Sequence, residues 1–593
     1  MVVEANTQEV ESTVEVRSAV ESTRRLLFNA LDSLEGEKTI VWDRDRSLMH
    51  RVNLFAGASA LHAHGVVANQ FIETKRPVET PNVLFFLSPT MSSLDLLCEY
   101  IDTVPNDSKT LYQLFFIPEA WYVVREKLKE RANGKYWQKF ESVREIPLSW
   151  LPRDGDCLSL SQSLFVSKLL LNGDWTYLHK CAVALHQLIR LGEAGREIQI
   201  FTRGKWSHDI SRMLRNQSSA STDNGTPSGS SSTQSALNFN RIVIIDRWLD
   251  PLTPMLTQLT YSGLLDEVFP VGMVNSIKVP KAEFEEKEDD DPFEQKEIYL
   301  NDEIYHRLKH AHINGFGQEA SKILTELRTD EQFDREKMSV AEYAVLVKKM
   351  PRILRKKNMT SIHMRLAEMI RMQLYSSLSD VVKTEKELLE LEEGDKVIPF
   401  IEDQILEAAP VNRVLRLISV HSLTSSGLKP AVLHTYRRYV TQSYGVAALN
   451  KLLKMQKMGL IREKGGSGKM LCEYTPLLYP QMRKQYNLIP ADVSELKADD
   501  VAYAYSGYAS LLVRIIEEGE SINWTGWEKS LLKSDDTVVA DTSSKPSTCL
   551  FVVGGLTRAE LATIRKLVSN IQLVTTTSLL TGDQLIENIT NAL

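Results

Sequence analysis

The residues best placed to do chemistry lie in "IIDRWLDPLTPMLTQLTYSGLLDE" (244–267), where an apolar run delivers Asp246 and Arg247 and then Asp250. Carboxylates just past a strand suit phosphotransfer. An aspartyl nucleophile and its acid partner usually sit two residues apart, however, and Asp246 and Asp250 are separated by four. Asp250-Pro251 and Thr253-Pro254 each set a capping residue before a proline, the order favoured at a helix start. The stretch therefore reads as a corner in which Arg247 reaches a carboxylate such as Asp250 or Asp266. Asp246, Arg247 and Asp250 form a candidate structural clamp.

Other constellations are weaker. "GGSGK" (465–469) lacks the first glycine of a phosphate loop, Glu463 standing there, and Met470 replaces the magnesium-binding hydroxyl. "FTRGKWS" (201–207) follows a strand but lacks repeated glycines, and "VVGGLTRAEL" (552–561) carries Thr557 and Glu560 at capping-box spacing. His306, His310 and His312 have no HExxH glutamate and read as a solvated helix surface, while Asp154 and Asp156 in "RDGDC" read as a loop. No GxSxG elbow occurs. Five scattered cysteines without a CxxC pair argue against a disulfide framework or a zinc site. No catalytic set, cofactor or metal site follows from the residues.

One charge cluster stands out. "KKMPRILRKK" gathers Lys348, Lys349, Arg352, Arg355, Lys356 and Lys357 around Pro351 inside a helical pattern. Proline within a helix removes a hydrogen bond and clashes with the preceding turn, at a cost of about 3 kcal/mol. The strip suits acidic helices or anionic head groups, or simply a solvated face. The chain's net charge of −7 gives no reason to expect nucleic acid. The N-terminal stretch lacks the apolar core of a signal peptide, and no apolar run is long enough to span a bilayer. Membrane association is expected only peripherally, through partners.

The elements that would position these residues are short apolar runs alternating with amphipathic ones. Strands are expected at 39–43, 82–89, 111–118, 196–202, 241–246, 549–555 and 571–577. Several are apolar on both faces, the pattern of parallel strands covered by helices. Between about 250 and 495 strands nearly vanish and helical periodicity takes over, then the α/β pattern returns. A helical domain inserted into an α/β domain explains this order. The expected division is an extension at 1–24, domain one at 25–145, domain two at 146–245 plus 496–593, and domain three at 246–495. A Ser/Gly/Thr-rich segment at 216–238 reads as a flexible loop, and 281–297 as an acidic solvated one.

The string DR-x2-DP-x-TP-x3-QLTY-x-G-LLDE resembles the hallmark of the SM (Sec/Munc) family, in the form of its vacuolar branch. "IVWD" (40–43), "LPRDGDCLSL" (151–160), "YLNDEIYHRLKHAHINGFG" (299–317), "VLRLISVHSLTSSGLK" (414–429), "QSYGVAALNKLLKMQKMGLI" (442–461), "AYAYSGYASLLVRIIE" (502–517) and "FVVGGLTRAEL" (551–561) match in order. The resemblance runs from about residue 25 to the end. It implies a three-domain arch with parallel-sheet α/β domains one and two and a mainly helical domain three. It also implies a non-enzymatic protein that binds syntaxin-class and R-type SNAREs and templates their assembly for fusion at the late endosome and lysosome or vacuole.

By the same resemblance the protein is a cytoplasmic subunit of the HOPS and CORVET tethering complexes, docked on vacuolar protein sorting-associated protein 16. The arm at about 301–370 becomes the SNARE groove, with Pro351 as its hinge and Lys348, Lys349, Arg352 and Arg355 beside it. Tyr444, Val446 and Leu449 become the partner-docking contacts. The branch tends to carry a second aromatic after the glycine, and Val446 departs from that. The alternatives are an SM protein of another trafficking step acting on a single syntaxin, and, remotely, a nucleotide-binding enzyme.

Overall fold

The computed structural model describes residues 12–103, 110–192, 197–221, 237, 239–284, 294–331, 340–390, 394–465, 477–532 and 547–590. The described residues fall into two compact units. One comprises Met1–Arg153, Ala182–Gly195 and Gln217–Asn238; the other comprises Asp154–Cys181, Arg196–Asn216 and Phe239–Leu593.

In the first unit five parallel strands lie in the spatial order Val66–Phe71, Lys38–Trp42, Asn82–Leu87, Leu111–Phe116, Phe140–Glu145. Asn82–Leu87 is buried along its whole length, as a central strand covered on both faces must be. Phe85 packs edge-on against Tyr100, Tyr112 and Phe140 with centroids 5.3, 5.4 and 5.9 Å away.

Six strands of the second sheet belong to the second unit, in the order Glu528–Leu532, Ile198–Arg203, Arg241–Asp246, Thr548–Val553, Ile571–Thr576, Cys157–Ser159. Arg241–Asp246 and Thr548–Val553 pair in parallel at the centre and are buried throughout. Only the edge strand Glu528–Leu532 runs antiparallel, against Ile198–Arg203. The two central strands are joined in space across some three hundred residues of sequence, so the C-terminal segment completes the sheet begun before the helical region.

That helical region packs within the second unit. Its largest helices are Phe316–Glu331, Val340–Gln373, Val411–Thr424 and Pro430–Lys457. An antiparallel hairpin, Ser276–Pro280 with Gln295–Tyr299, adds strands where the sequence pattern shows almost none. Ile277, Val279 and Ile298 point into the helical core, while polar residues separate them, so each run is too short and mixed to stand out.

Candidate functional site

The corner at 244–267 is a buried ion network. Arg247 lies almost wholly out of water, and its Nη1 donates to both Glu560 oxygens at 2.8 and 2.6 Å. Its Nη2 stands 3.1 Å from Asp250 Oδ2, and Nε and Nη2 donate to the Asp250 carbonyl oxygen at 3.1 and 2.8 Å. Burial pulls the guanidinium's pKa down, but Glu560 and Asp250 outweigh it and raise it above the ordinary arginine value. Asp250 also accepts from the amides of Thr253 and Leu512, both at 3.0 Å, and Glu560 accepts from Ser510 Oγ at 2.7 Å. Every charge is thus matched, as a buried charge must be. The network holds three chain segments together.

Two expectations change here. Asp266 is not Arg247's partner: it pairs with Arg558 Nε at 3.0 Å, and Glu560 takes its place. The prolines do not open a long helix either. Arg247–Leu249 and Thr253–Met255 are single 3-10 turns, and the helix begins at Tyr261 with Thr260 as its cap. Successive prolines at 251 and 254 withhold backbone donors, which suits tight turns and prevents a continuous helix there. Asp246 belongs to a different contact. Its two oxygens accept the amides of Trp206 and Ser207 at 2.8 and 2.7 Å, at the start of the helix Lys205–Ser221. Burial pushes its carboxyl up to about 8 against those two bonds. Gly204, at φ +115°, is required there because a Cβ would lie 2.2 Å from Asp246 Oδ2.

The histidines and the "RDGDC" turn are joined. Asp154 Oδ2 pairs with Arg558 Nη1 at 2.6 Å and its other oxygen accepts from Tyr305. Asp156 meets Lys309 Nζ at 2.5 Å and His310 Nε2 at 2.7 Å. Burial opposes the Asp154 charge, but Arg558 and Lys309 hold its pKa at about 2. His310 and His312 are therefore not a solvated surface, and burial drives His306 down to about 4. The short spacing hid this because the partners sit some 150 residues away. Among the described residues no group of His, Cys, Asp and Glu is arranged to hold a metal ion. "GGLTRAEL" is a buried helix start: Thr557 and Glu560 form the capping box of the helix Arg558–Leu567. The "GGSGK" stretch beyond Gly465 and most of the segment 216–238 lie outside the described residues.

The helix Val340–Gln373 carries Pro351 in its interior. One side is anchored by Ile353, Leu366, Ala367 and Ile370, which join the core with Tyr261 and Phe316. Lys349, Pro351, Arg352 and Arg355 are exposed, and Lys356 Nζ and Arg352 Nη2 reach Glu303 at 2.6 and 3.5 Å. The Lys348 side chain lies outside the described set. The same helix and the π-helical turn after it, Leu374–Leu378, also expose Met350, Leu354, Met364, Met372 and Tyr375, with Leu354 at 58% and Met372 at 65%. At 3.6 residues per turn their positions span only about 80° around the helix axis, so they share one face. Charged residues between them mask the pattern in the sequence, and methionine and leucine recurring on one helical face are its only local signal.

The helix Pro430–Lys457 breaks at Gly445, whose φ of 78° only glycine adopts readily. Tyr444 precedes the break and is tied inward, its hydroxyl donating to the Ala409 carbonyl at 2.5 Å. Val446 is 65% exposed, Leu449 half-buried and Leu453 exposed, all on one face of the second half.

A model of the Sec1 family matches residues 38–588. The chain is 60% identical to Vacuolar protein sorting-associated protein 33A of Caenorhabditis elegans, over 98% of this chain and 97% of that protein. It is 28% identical to the protein of the same name from Rattus norvegicus, covering 96% of each. A solved structure of the SM protein Vps45 in complex with the Qa SNARE Tlg2 superposes with a TM-score of 0.64 at 16% identity, covering 97% of this chain and 98% of that one. The family model spanning residues 38–588 and the 60% identity over nearly the whole chain leave one assignment: this chain belongs to the Sec1 family.

Proposed function

We propose that this protein binds SNARE helices and templates their assembly for membrane fusion, without enzymatic chemistry of its own. The observation that carries the reading is the exposed apolar line Met350–Leu354–Met364–Met372–Tyr375 on a helix whose opposite side is already packed. A partner helix would lay its own apolar side along that line. Lys349, Arg352 and Arg355, beside Pro351, offer positive charge to acidic flanks of such a helix. In support, the Vps45 fold neighbour was solved with a Qa SNARE.

The likeness to vacuolar sorting proteins supports a finer reading. The protein acts as a HOPS and CORVET subunit, peripheral on late endosomal, lysosomal or vacuolar membranes. The partner-docking face is Val446, Leu449 and Leu453, with Tyr444 fixing the bend beneath it, and vacuolar protein sorting-associated protein 16 is its partner. The buried clamps hold the second sheet to the helical region, with domain three taken as 246–495.

The test is binding of a syntaxin-class SNARE motif to the full chain by calorimetry, beside an ATP-turnover assay. Burying a leucine side chain is worth about 2 kcal/mol, so Leu354→Asp should weaken SNARE binding more than about tenfold. Unchanged SNARE affinity in Leu354→Asp, or ATP turnover, would overturn the reading.

A further inference from the structure

The clamps fill the C-terminal edge of the second sheet, where open α/β sheets usually receive ligands. The opposite edge is hollow. Arg241, Thr548 and Ile571 are the first residues of three neighbouring parallel strands, and all three line a cavity of about 240 Å3. Arg241 is 8% exposed. Among the described residues its Nε has no hydrogen-bond partner, and its guanidinium lies 5.4 Å over the Phe201 ring. Burial lowers its pKa, and among the described residues no carboxylate opposes that effect.

An unpaired buried cation is costly and needs a reason. Every other deeply buried arginine described above, Arg247 and Arg558, is matched by carboxylates. Glu520 lines the same cavity but forms no ion pair with Arg241. Instead its Oε1 accepts from the Asn570 amide at 3.1 Å and from the Asn570 side chain. Opposite charges thus face one small space without meeting in it. Trp524 and Ile571 supply apolar wall. Asn523 and Trp524, also lining the cavity, both hold the left-handed backbone region, with φ of 53° and 61°, which is strained for non-glycine residues.

We propose that this cavity binds a small zwitterion of the α-amino-acid type. Its carboxylate lies on the Arg241 guanidinium, whose planar fork matches a carboxylate. Its ammonium faces Glu520, and its side chain lies against Trp524 and Ile571. The cavity volume suits a molecule of that size and excludes a folded segment.

The experiment is calorimetric titration of the full chain with glycine, L-leucine and L-glutamine, beside sodium acetate and inorganic phosphate. At least one amino acid should bind one to one with a Kd of about 1 mM or tighter, and acetate at least tenfold more weakly. Arg241→Met should abolish amino-acid binding, whereas Glu520→Gln should weaken it and leave acetate unchanged. Arg241→Met should also keep or raise the urea midpoint, since it removes an unpaired buried charge. Should that variant fail to fold, Arg241→Lys and Glu520→Gln carry the test, each expected to weaken binding at least tenfold. Absence of amino-acid binding, equal affinity for phosphate or acetate, or binding indifferent to both positions would overturn the proposal.

Discussion

Replacing Arg247 by methionine tests the buried corner most directly. The side chain is 1% exposed and makes two hydrogen bonds to Glu560, with a third charged contact to Asp250. Methionine roughly preserves the volume but leaves two carboxylates buried together, without their cation. Removing one partner of a buried pair costs about 3–5 kcal/mol. The double variant Arg247→Met/Glu560→Gln also removes one of the orphaned charges, so it should be less destabilised than the sum of its parts by about 1 kcal/mol or more. Urea unfolding followed by far-UV circular dichroism, with all four members of the cycle, gives the coupling. A loss below about 1 kcal/mol for Arg247→Met, or strict additivity in the cycle, would refute the claim that this network pins the corner. A second variant separates the charge from the planar fork. Arg247→Lys retains a charge but loses the fork, and should lie between wild type and methionine in stability.

Other outcomes follow from named contacts. Gly204→Ala should destabilise by roughly 1–3 kcal/mol, because the new Cβ meets Asp246 Oδ2 and the φ of +115° strains it; its urea midpoint is the check. Glu385 accepts Thr257 N and Oγ1 at 2.9 and 3.0 Å, and burial raises its pKa to about 7. Its protonated form is favoured by folding, so the stability it contributes is present below the ordinary glutamate value and is lost as pH rises through about 7. Unfolding measured from pH 5 to 8 should show a fall of up to about 3 kcal/mol that Glu385→Gln flattens; an unchanged slope in that variant would count against it. Val446→Asp and Leu449→Asp should abolish capture by the tether partner in a pull-down, with unfolding midpoints unchanged. Retention of the complex by both would remove that docking face.

The sequence made the central strands legible, missed the flanking strands Val66–Phe71, Phe140–Glu145, Cys157–Ser159 and Glu528–Leu532, and showed the clamps only in half. Uninterrupted apolar runs such as "NVLFFLSP" and "RIVIID" announce buried parallel strands wherever they occur, because local pattern alone sets them. The capping box at Thr557 and Glu560 was equally local. What could not be read was that Glu560 has a second role, receiving Arg247 across 313 positions of sequence. The same holds for Arg558 with Asp154 and for His310 with Asp156. Such pairs are chosen by the packing of distant segments, and one sequence carries no periodicity that marks them. The Pro-rich corner misled for a related reason: capping residues and prolines favour helix starts and tight turns alike, and burial decided between them. The exposed line from Met350 to Tyr375 is legible in principle, since methionine and leucine recur on one helical face, but the lysines and arginines between them obscure the pattern.

The C-terminal origin of Thr548–Val553 has a consequence for biosynthesis. Arg241–Asp246 leaves the ribosome long before its central neighbour exists, and at ordinary elongation rates the wait is on the order of tens of seconds. Throughout that interval the nascent chain presents an unpaired strand edge whose middle, residues 242–245, is wholly apolar, the feature most prone to mispairing. Premature termination anywhere upstream of residue 548 leaves that edge permanently open, so truncations just before it should be as damaging as early ones, and synthesis of the protein should lean on chaperones that shield the strand until Thr548–Val553 arrives.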